Sequence, residues 1–403
     1  MNIVLPCLAC ALAAFAASAA SIPHVVLLAY RKGLLDVAFT GASRKRAVPV
    51  IGGVCLYVSI LAALLVATLF IDVRPLVMPF LGITAMFLVG FFDDMMNLSY
   101  RTKFAFQILV VVMLWHNGIR IDTLGGLFGV WDMGNALGLV LSLVAGVGLI
   151  NAINLIDGVD GLASGYGMGL SVLFACFFFV HGDVLMGLGA LAIGCALAPI
   201  FFCNVFSLKY KMFIGDSGSL VLGVLAYVAC SAVLHEPMQY YLDYFRASLL
   251  LSAYSIPVYD TLRVMATRMR HGRSPFLSDH LHLHHSLLAL HYPHLMVTVI
   301  EVLIGSLILG IWVLTARLCI LTGIGAEWQS AAMVLIGACL VVWPYVRLQR
   351  LRNTNSAAIL RQIARGRGWS RRMNGPLLFL RALVDGRTRP ARSGKGTIRR
   401  PPK

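Results

Sequence analysis

Residues 135–161 read NALGLVLSLVAGVGLINAINLIDGVDG. The first nineteen, through Ile153, hold no ionisable side chain. A helix of about 20 apolar residues crosses about 30 Å of hydrocarbon, so this run is a membrane span. Its end then turns polar. Asn151, Asn154 and Asp157 recur at every third position, which on a continuing helix forms one stripe. Gly158 and Gly161 let the backbone leave the helix. A membrane crossing that ends in oxygen ligands indicates both the fold class and where the chemistry sits.

The rest of the chain repeats the first half of that pattern. Of 403 residues 59% are hydrophobic and only 12% charged, with a mean hydropathy of +0.83. Soluble domains carry about 25% charged residues. An ordinary soluble enzyme, a disordered chain and a fibre are excluded, and a polytopic membrane protein remains. Apolar runs cover residues 4–30, 48–71, 76–92, 104–119, 135–153, 165–181, 184–203, 219–235, 244–265, 294–316 and 328–346. The expected fold is therefore all-α with about eleven transmembrane helices. Residues 1–21 look like a signal peptide, but no basic residue precedes the apolar run and it continues through Tyr30. It reads as an uncleaved first span.

The net charge of +16 comes from 33 Lys and Arg against 17 Asp and Glu. With the N-terminus outside, 29 of the 33 positives fall on the inner side, and Arg74, Arg120, Arg246 and Arg317 remain outside. The positive-inside rule thus predicts an outer N-terminus and a cytoplasmic C-terminus. The charge reports topology, and no nucleic-acid partner is expected. Residues 1–346 form the membrane domain with cytoplasmic active-site loops. Residues 347–403 form a basic tail, either disordered or lying on anionic lipid through Pro376–Val384. The nine cysteines lie in or near the spans and act as small apolar residues; Cys7-x-x-Cys10 is a weak redox or metal candidate. The outer segment 121–134 alternates weakly and suggests a small hairpin.

Polar residues collect on the inner side in four clusters. Asp93-Asp94 follows a span, and adjacent carboxylates repel unless a cation is near. Arg101 and Lys103 are close in sequence, and a solvated loop is the alternative. Asn151, Asn154, Asp157 and Asp160 suit a hard cation such as Mg²⁺, or else a polar helix contact. Gly215-Asp216-Ser217-Gly218-Ser219 suits an anion at a helix N-terminus, or a capping turn. The segment 263–293 holds Arg263, Arg268, Arg270 and Arg273, then Asp279, His280, His282, His284 and His285. These histidines suit phosphate oxygens; structural or solvated histidines, and zinc with His280 and His284 four apart, are the alternatives. One-sided polarity argues for an inner-face enzyme or binding site, since a pump places ionisable groups at mid-depth. Together the clusters indicate phosphoryl chemistry. Asp260 and Glu301 lie within spans and are functional candidates by that fact alone, with Arg263 a near partner for Asp260.

The order Asp93-Asp94…Lys103, Asn151-Ala-Ile-Asn154-x-x-Asp157-Gly-x-Asp160-Gly, Phe213-x-Gly215-Asp216-Ser-Gly-Ser and His282-x-His284-His285 resembles the polyprenyl-phosphate N-acetylhexosamine-1-phosphate transferases. Upstream, Gly33-Leu34-x-Asp36…Arg44-Lys45…Pro49…Gly52-Gly53 is similar to that family's first inner loop, so the resemblance covers about residues 30–345. The His-x-His-His form is similar to the branch using UDP-N-acetylglucosamine; the muramyl-pentapeptide branch usually has three consecutive histidines. Arg46 stands where the family often has His, and His280 where it often has Arg.

The resemblance implies a bacterial inner-membrane enzyme whose active site faces the cytoplasm. A lipid phosphate, undecaprenyl phosphate, attacks the β-phosphorus of a UDP-sugar and releases UMP. The lipid-linked diphosphosugar then starts cell-envelope polysaccharide synthesis. Asp93, Asp94 and Asp216 are the implied catalytic residues, and Asn154 and Asp216 the implied ligands of Mg²⁺, with Mn²⁺ as substitute. Lys103, Asn151, Asp157, Asp160, Arg273, His282, His284 and His285 are the implied substrate contacts. The second pKa of a phosphate monoester is about 6, so Asp93 and Asp94 are expected to position the lipid phosphate more than to deprotonate it. The other expected partners are the bilayer and a second copy in a homodimer. The alternatives are a secondary transporter of a phosphorylated metabolite, a lipid-phosphate phosphatase, and a glycosyltransferase forming no diphosphate link. A transporter calls for related halves, and no internal repeat is visible.

Overall fold

The computed structural model describes residues 3–40, 44–275, 281–354 and 356–385. The helices are α1 (Val4–Lys32), α2 (Gly52–Ala67), α3 (Val77–Met96), α4 (Tyr100–His116), α5 (Gly134–Leu155), α6 (Leu162–His181), α7 (Val184–Phe206), α8 (Gly215–His235), α9 (Arg246–Ala253), α10 (Ser255–Arg270), α11 (Leu283–Leu288), α12 (His294–Thr322), α13 (Ala326–Thr354) and α14 (Ser356–Val384). Between α1 and α2, strands β1 (Leu35–Thr40) and β2 (Arg44–Pro49) pair antiparallel, with Leu35 opposite Pro49 and Thr40 opposite Arg44.

Among the described residues, eight helices are long and apolar enough to cross a membrane: α1, α3, α5, α6, α7, α8, α12 and α13. The chain is an all-α polytopic membrane protein. The other three expected runs are shorter or interrupted, each for a local reason. The run at 48–71 loses its start because Gly52 and Gly53 donate their N–H groups to the carbonyls of Phe213 and Ile214, while Phe213 donates to Pro49. That extended pairing leaves α2 only 16 residues. Helix α4 has 17 residues and begins with the polar turn that carries Arg101 and Lys103. The run at 244–265 breaks at Tyr254, between α9 and α10. Pro257 has no N–H to offer the carbonyl four residues earlier, that of Ala253, and the Tyr166 hydroxyl donates to it instead.

Helix α8 is the axis of the bundle. Within its most apolar stretch 78% is buried, against at most 44% in the other seven spans. It is apolar all round, as a buried helix must be, and it packs against α2, α3 and α5. Glycines allow the close approach. A Cβ on Gly223 would stand 2.5 Å from the Ile150 Cα, and one on Gly90 would stand 2.4 Å from the Asp216 carbonyl. Outside this group α1 packs on α2 and α7, and α6 on α7. Helix α13 joins α9, α10 and α12.

Two segments differ from simple expectation or extend it. Residues 121–134 form no hairpin. They make turns around a short 3-10 helix at Leu127–Gly129, tied by Gly126 N–H to Val130 and Met133 N–H to Asp122; their glycines favour turns over a ladder. The basic tail carries α14, which packs against α7 and α13. Asp385 at its end accepts from the Ser207 hydroxyl and from the N–H groups of Leu208 and Lys209.

A paired substitution tests the glycine packing. Gly223→Ala forces a methyl onto the α5 backbone and is expected to destabilise by about 1–3 kcal/mol, as overpacking does. Gly148→Ala, on the open side of α5, is expected to be neutral or to stabilise by up to about 1 kcal/mol through helix propensity. Thermal melting of both variants in detergent measures the difference.

Candidate active site

The site forms where the ends of α3 and α5 meet the starts of α4 and α8. Helix α3 stops at Asn97, which takes the left-handed conformation (φ 52°). Ser99 then caps α4 by accepting the Thr102 N–H. This sharp reversal puts Lys103 beside the acids at the end of α3. Its Nζ lies 2.8 Å from Asp93 Oδ2 and 3.0 Å from Asp216 Oδ2. The other Asp93 oxygen accepts the Leu98 N–H at 2.7 Å.

Asp94 acts differently from its neighbour. It accepts the N–H groups of Asp216 (2.8 Å) and Ser217 (3.0 Å). A carboxylate on α3 thus caps the first turn of α8, whose N–H groups have no partner within their own helix. Gly215, at φ 72°, makes the approach possible, because a Cβ there would meet the Val50 carbonyl at 2.0 Å and Asp94 Oδ2 at 2.8 Å. Gly53 is equally close, its Cβ position lying 2.2 Å from the Gly218 nitrogen.

The polar stripe of α5 divides. Asn154 Nδ2 donates to Asp216 Oδ1 and to Ser219 Oγ, both at 2.8 Å. Asn151 is joined instead to Gln107 of α4 through a reciprocal amide pair, at 2.7 and 3.3 Å. Asp157, on the loop after α5, has its carboxyl pushed well above the usual range by burial and by the charges of Asp216 and Asp94. Burial opposes the Lys103 ammonium, yet Asp216 and Asp93 outweigh it and raise its pKa. Four carboxylates thus influence one another around a single bridging lysine. Among the described residues, no three His, Cys, Asp or Glu side chains are placed to cage a metal by themselves. The donor set is nevertheless rich in carboxyl and amide oxygen, which is the chemistry a hard cation takes.

Asp160 belongs to an adjoining group. Its Oδ2 accepts from Lys211 Nζ at 2.6 Å and lies 3.6 Å from His294 Nδ1. Lys211 also donates to the Asn204 carbonyl at 2.9 Å. Lys211 and Gln107 received no role from sequence. The only signal was a lysine in a short inner loop and one amide in an otherwise apolar run.

The histidines arrive from the other side of the loop. His284 Nε2 would stand 2.9 Å from a Cβ on Gly158, so a side chain there would press on the His284 ring. The rings of His282 and His284 lie parallel with centroids 5.5 Å apart, and those of His284 and His285 are 4.3 Å apart. Burial, then the neighbouring His285 and His282, lowers the His284 pKa to about 3. Arg273 is exposed on the turn after α10, whereas Arg263 and Arg268 are buried. Asp279 and His280 lie outside the described residues.

A polytopic helical membrane protein with a carboxylate-rich polar centre at one end of its bundle is thereby defined. Residues 76–234, from α3 through α8, match the family model described as glycosyl transferase family 4, and the chain belongs to that family. The matched segment contains Asp93, Asp94, Lys103, Asn154, Asp157, Asp160 and Asp216, and ends before the histidines. Two relatives are named undecaprenyl-phosphate alpha-N-acetylglucosaminyl 1-phosphate transferase. The Yersinia pestis protein is 27% identical over 313 residues, covering 77% of this chain and 83% of its own. The Escherichia coli O157:H7 protein is 26% identical over 353 residues, covering 85% and 92%. The decaprenyl-phosphate N-acetylglucosaminephosphotransferase of Mycolicibacterium smegmatis is 31% identical over 274 residues, covering 61% and 66%.

The Lys211–Asp160 pair gives a stability test. Lys211→Met leaves the Asp160 carboxylate without its main partner and is expected to destabilise by about 3–5 kcal/mol, as breaking a buried pair does. Adding Asp160→Asn removes the stranded charge and is expected to recover a large part of that loss. Melting temperatures of the single and double variants check it.

Proposed function

We propose that this protein transfers N-acetylglucosamine 1-phosphate from UDP-N-acetylglucosamine to undecaprenyl phosphate. A lipid-phosphate oxygen attacks the β-phosphorus, forming a new P–O bond. The bond from that phosphorus to the bridging oxygen breaks, and the oxygen leaves with UMP. The product is a lipid-linked diphosphosugar. The observation that carries this reading is the convergence of Asp93, Asp94, Asp157 and Asp216 with Lys103 and Asn154 at one end of the bundle. The names of the relatives supply the substrates.

Asp216 and Asn154 are the proposed ligands of Mg²⁺, or of Mn²⁺ in its place. Mg²⁺ usually takes one or two protein ligands and completes its shell with water and substrate phosphates, which suits a site with no three-residue cage. Asn154 turns Nδ2 to Asp216, and as a ligand its amide would have to present Oδ1 instead. Mg²⁺ held there would supply positive charge against the pyrophosphate and the departing UMP. Lys103 holds Asp93 and Asp216 at fixed separation, and Asp94 sets the α8 terminus against them. His282, His284, His285 and Arg273 are assigned to the pyrophosphate and sugar phosphate. Eleven crossings, with the N-terminus outside and the site, the tail and the C-terminus in the bacterial cytoplasm, agree with the 29 to 4 division of positive residues.

Purified protein given polyprenyl phosphate, Mg²⁺ and a panel of UDP-N-acetylhexosamines is expected to release UMP, fastest with UDP-N-acetylglucosamine. UDP as product indicates a glycosyltransferase, and no nucleotide product overturns the assignment in favour of a transporter. Asp216→Asn is expected to lower the rate by about a hundredfold or more, on the scale of a lost transition-state contact. Asp93→Asn is expected to lose activity by the same factor at about pH 6, where the lipid phosphate is about half dianionic, and at about pH 8.5, where it is almost wholly so, because a positioning group acts on both forms. Recovery confined to the higher pH identifies Asp93 as a base.

A further inference from the structure

The segment that carries the three histidines is gripped by α10, a helix outside the family-matched residues. Asp260 Oδ2 lies 2.8 Å from His282 Nδ1. Asp260 Oδ1 accepts from Arg263 Nη2 at 2.6 Å and Nε at 3.0 Å, and the Leu283 N–H makes longer contacts to Oδ1 (3.3 Å) and Oδ2 (3.2 Å). Arg263 Nη2 also donates to the Leu281 carbonyl at 2.7 Å, while its guanidinium lies 3.6 Å from the ring centre of Tyr345 on α13. Asp260, Arg263 and His282 are 2%, 7% and 3% exposed, so this is a dry assembly.

A buried aspartate needs a counter-charge, and Arg263 already provides it. His282 is therefore surplus to the neutralisation of Asp260. Its other nitrogen, Nε2, is buried with no hydrogen-bond partner among the described residues, as are both nitrogens of His284. A buried polar group left without a partner is destabilising until something pairs with it. The parallel ring of His284 connects His282 to Gly158, next to Asp157.

We propose that Asp260 is a positioning residue for the transfer reaction: it holds His282 by Nδ1 and so directs Nε2 to an oxygen of the phosphate-bearing substrate. This rests on the transfer reading above. The hydrogen bond on one ring nitrogen sets the state and orientation of the other. With Nδ1 engaged by Asp260, Nε2 is the ring nitrogen left to meet the substrate.

The test is a double-mutant cycle on the full chain, read as UMP release. Asp260→Asn is expected to reduce kcat by ~10–100-fold, the range for groups that orient a ligand histidine, with a smaller change in KM. In a His282→Asn background the same substitution is expected to add no further loss, and Asp260→Glu to restore part of the rate. Equal losses in both backgrounds overturn the proposal, because a merely structural residue is additive with His282. Should Asp260→Asn fail to fold, Asp260→Glu, which keeps the charge opposite Arg263, takes its place in the cycle. Absence of UMP from the wild type sinks the transfer reading alone. The positioning role is then decided by ¹⁵N spectra of histidine-labelled protein, where the His282 signal is the one lost in His282→Asn. A protonated Nδ1 whose shift moves in Asp260→Glu, together with an Nε2 shift on adding UMP, supports it; an unmoved signal refutes it.

Discussion

The first turn of α8 is buried, and its N–H groups must find acceptors that the helix cannot supply. Asp94 provides them from α3, and Gly52, Gly53, Gly90 and Gly215 leave space for the backbones to close around that turn. Other features of the centre follow from this junction. Once the start of α8 is fixed against the end of α3, Asp216 lies within reach of both Lys103 and Asn154. Pairing of Phe213 and Ile214 with the Pro49–Gly53 segment fixes the approach from the preceding loop. The price of such close packing is intolerance of side chains at several positions.

Charge is arranged with the same economy. At the centre Asp93 and Asp216 share one bridging lysine, while Asp94 is satisfied by backbone N–H groups of α8. Lys211 and Arg263, by contrast, are each committed to a single acid, Asp160 and Asp260. These two pairs stand beside the carboxylate centre, and each ties a different segment to the bundle: the loop before α8 and the turn before α11. Helix α14 reaches the first of them, since Asp385 holds the Ser207–Lys209 turn that leads to Lys211.

Much of the fold was legible because membrane spans announce themselves by length and polarity. The three runs that fell short did so for reasons a hydropathy pattern does not carry. The extended pairing of Gly52 and Gly53 with Phe213 and Ile214 joins residues far apart in sequence, and the break at Tyr254 is stabilised by Tyr166 from another helix. The hairpin expected at 121–134 failed because weak alternation cannot outweigh the turn preference of its glycines. At the centre, Asp93, Asp94, Asn154, Asp157 and Asp216 were visible as polar residues at span ends. Lys211, Gln107 and the link from Asp260 to His282 were not, because a partner can be recognised only when the chain brings it near.

The amino-acid sequence by itself determined that the chain is a helical membrane protein, where its eight long apolar helices lie, and that its acids, amides and histidines gather near the ends of particular helices. Those properties follow from the composition of short windows, which the bilayer reads directly. Only the tertiary structure decided that Asp94 caps a helix while Asp93 meets the lysine, that Asn151 pairs with Gln107 while Asn154 meets Asp216, and that Asp260 holds His282. Neighbouring residues of one type diverge in this way because hydrogen bonds act over about 3 Å, and the identity of the group at that distance is set by how the helices pack.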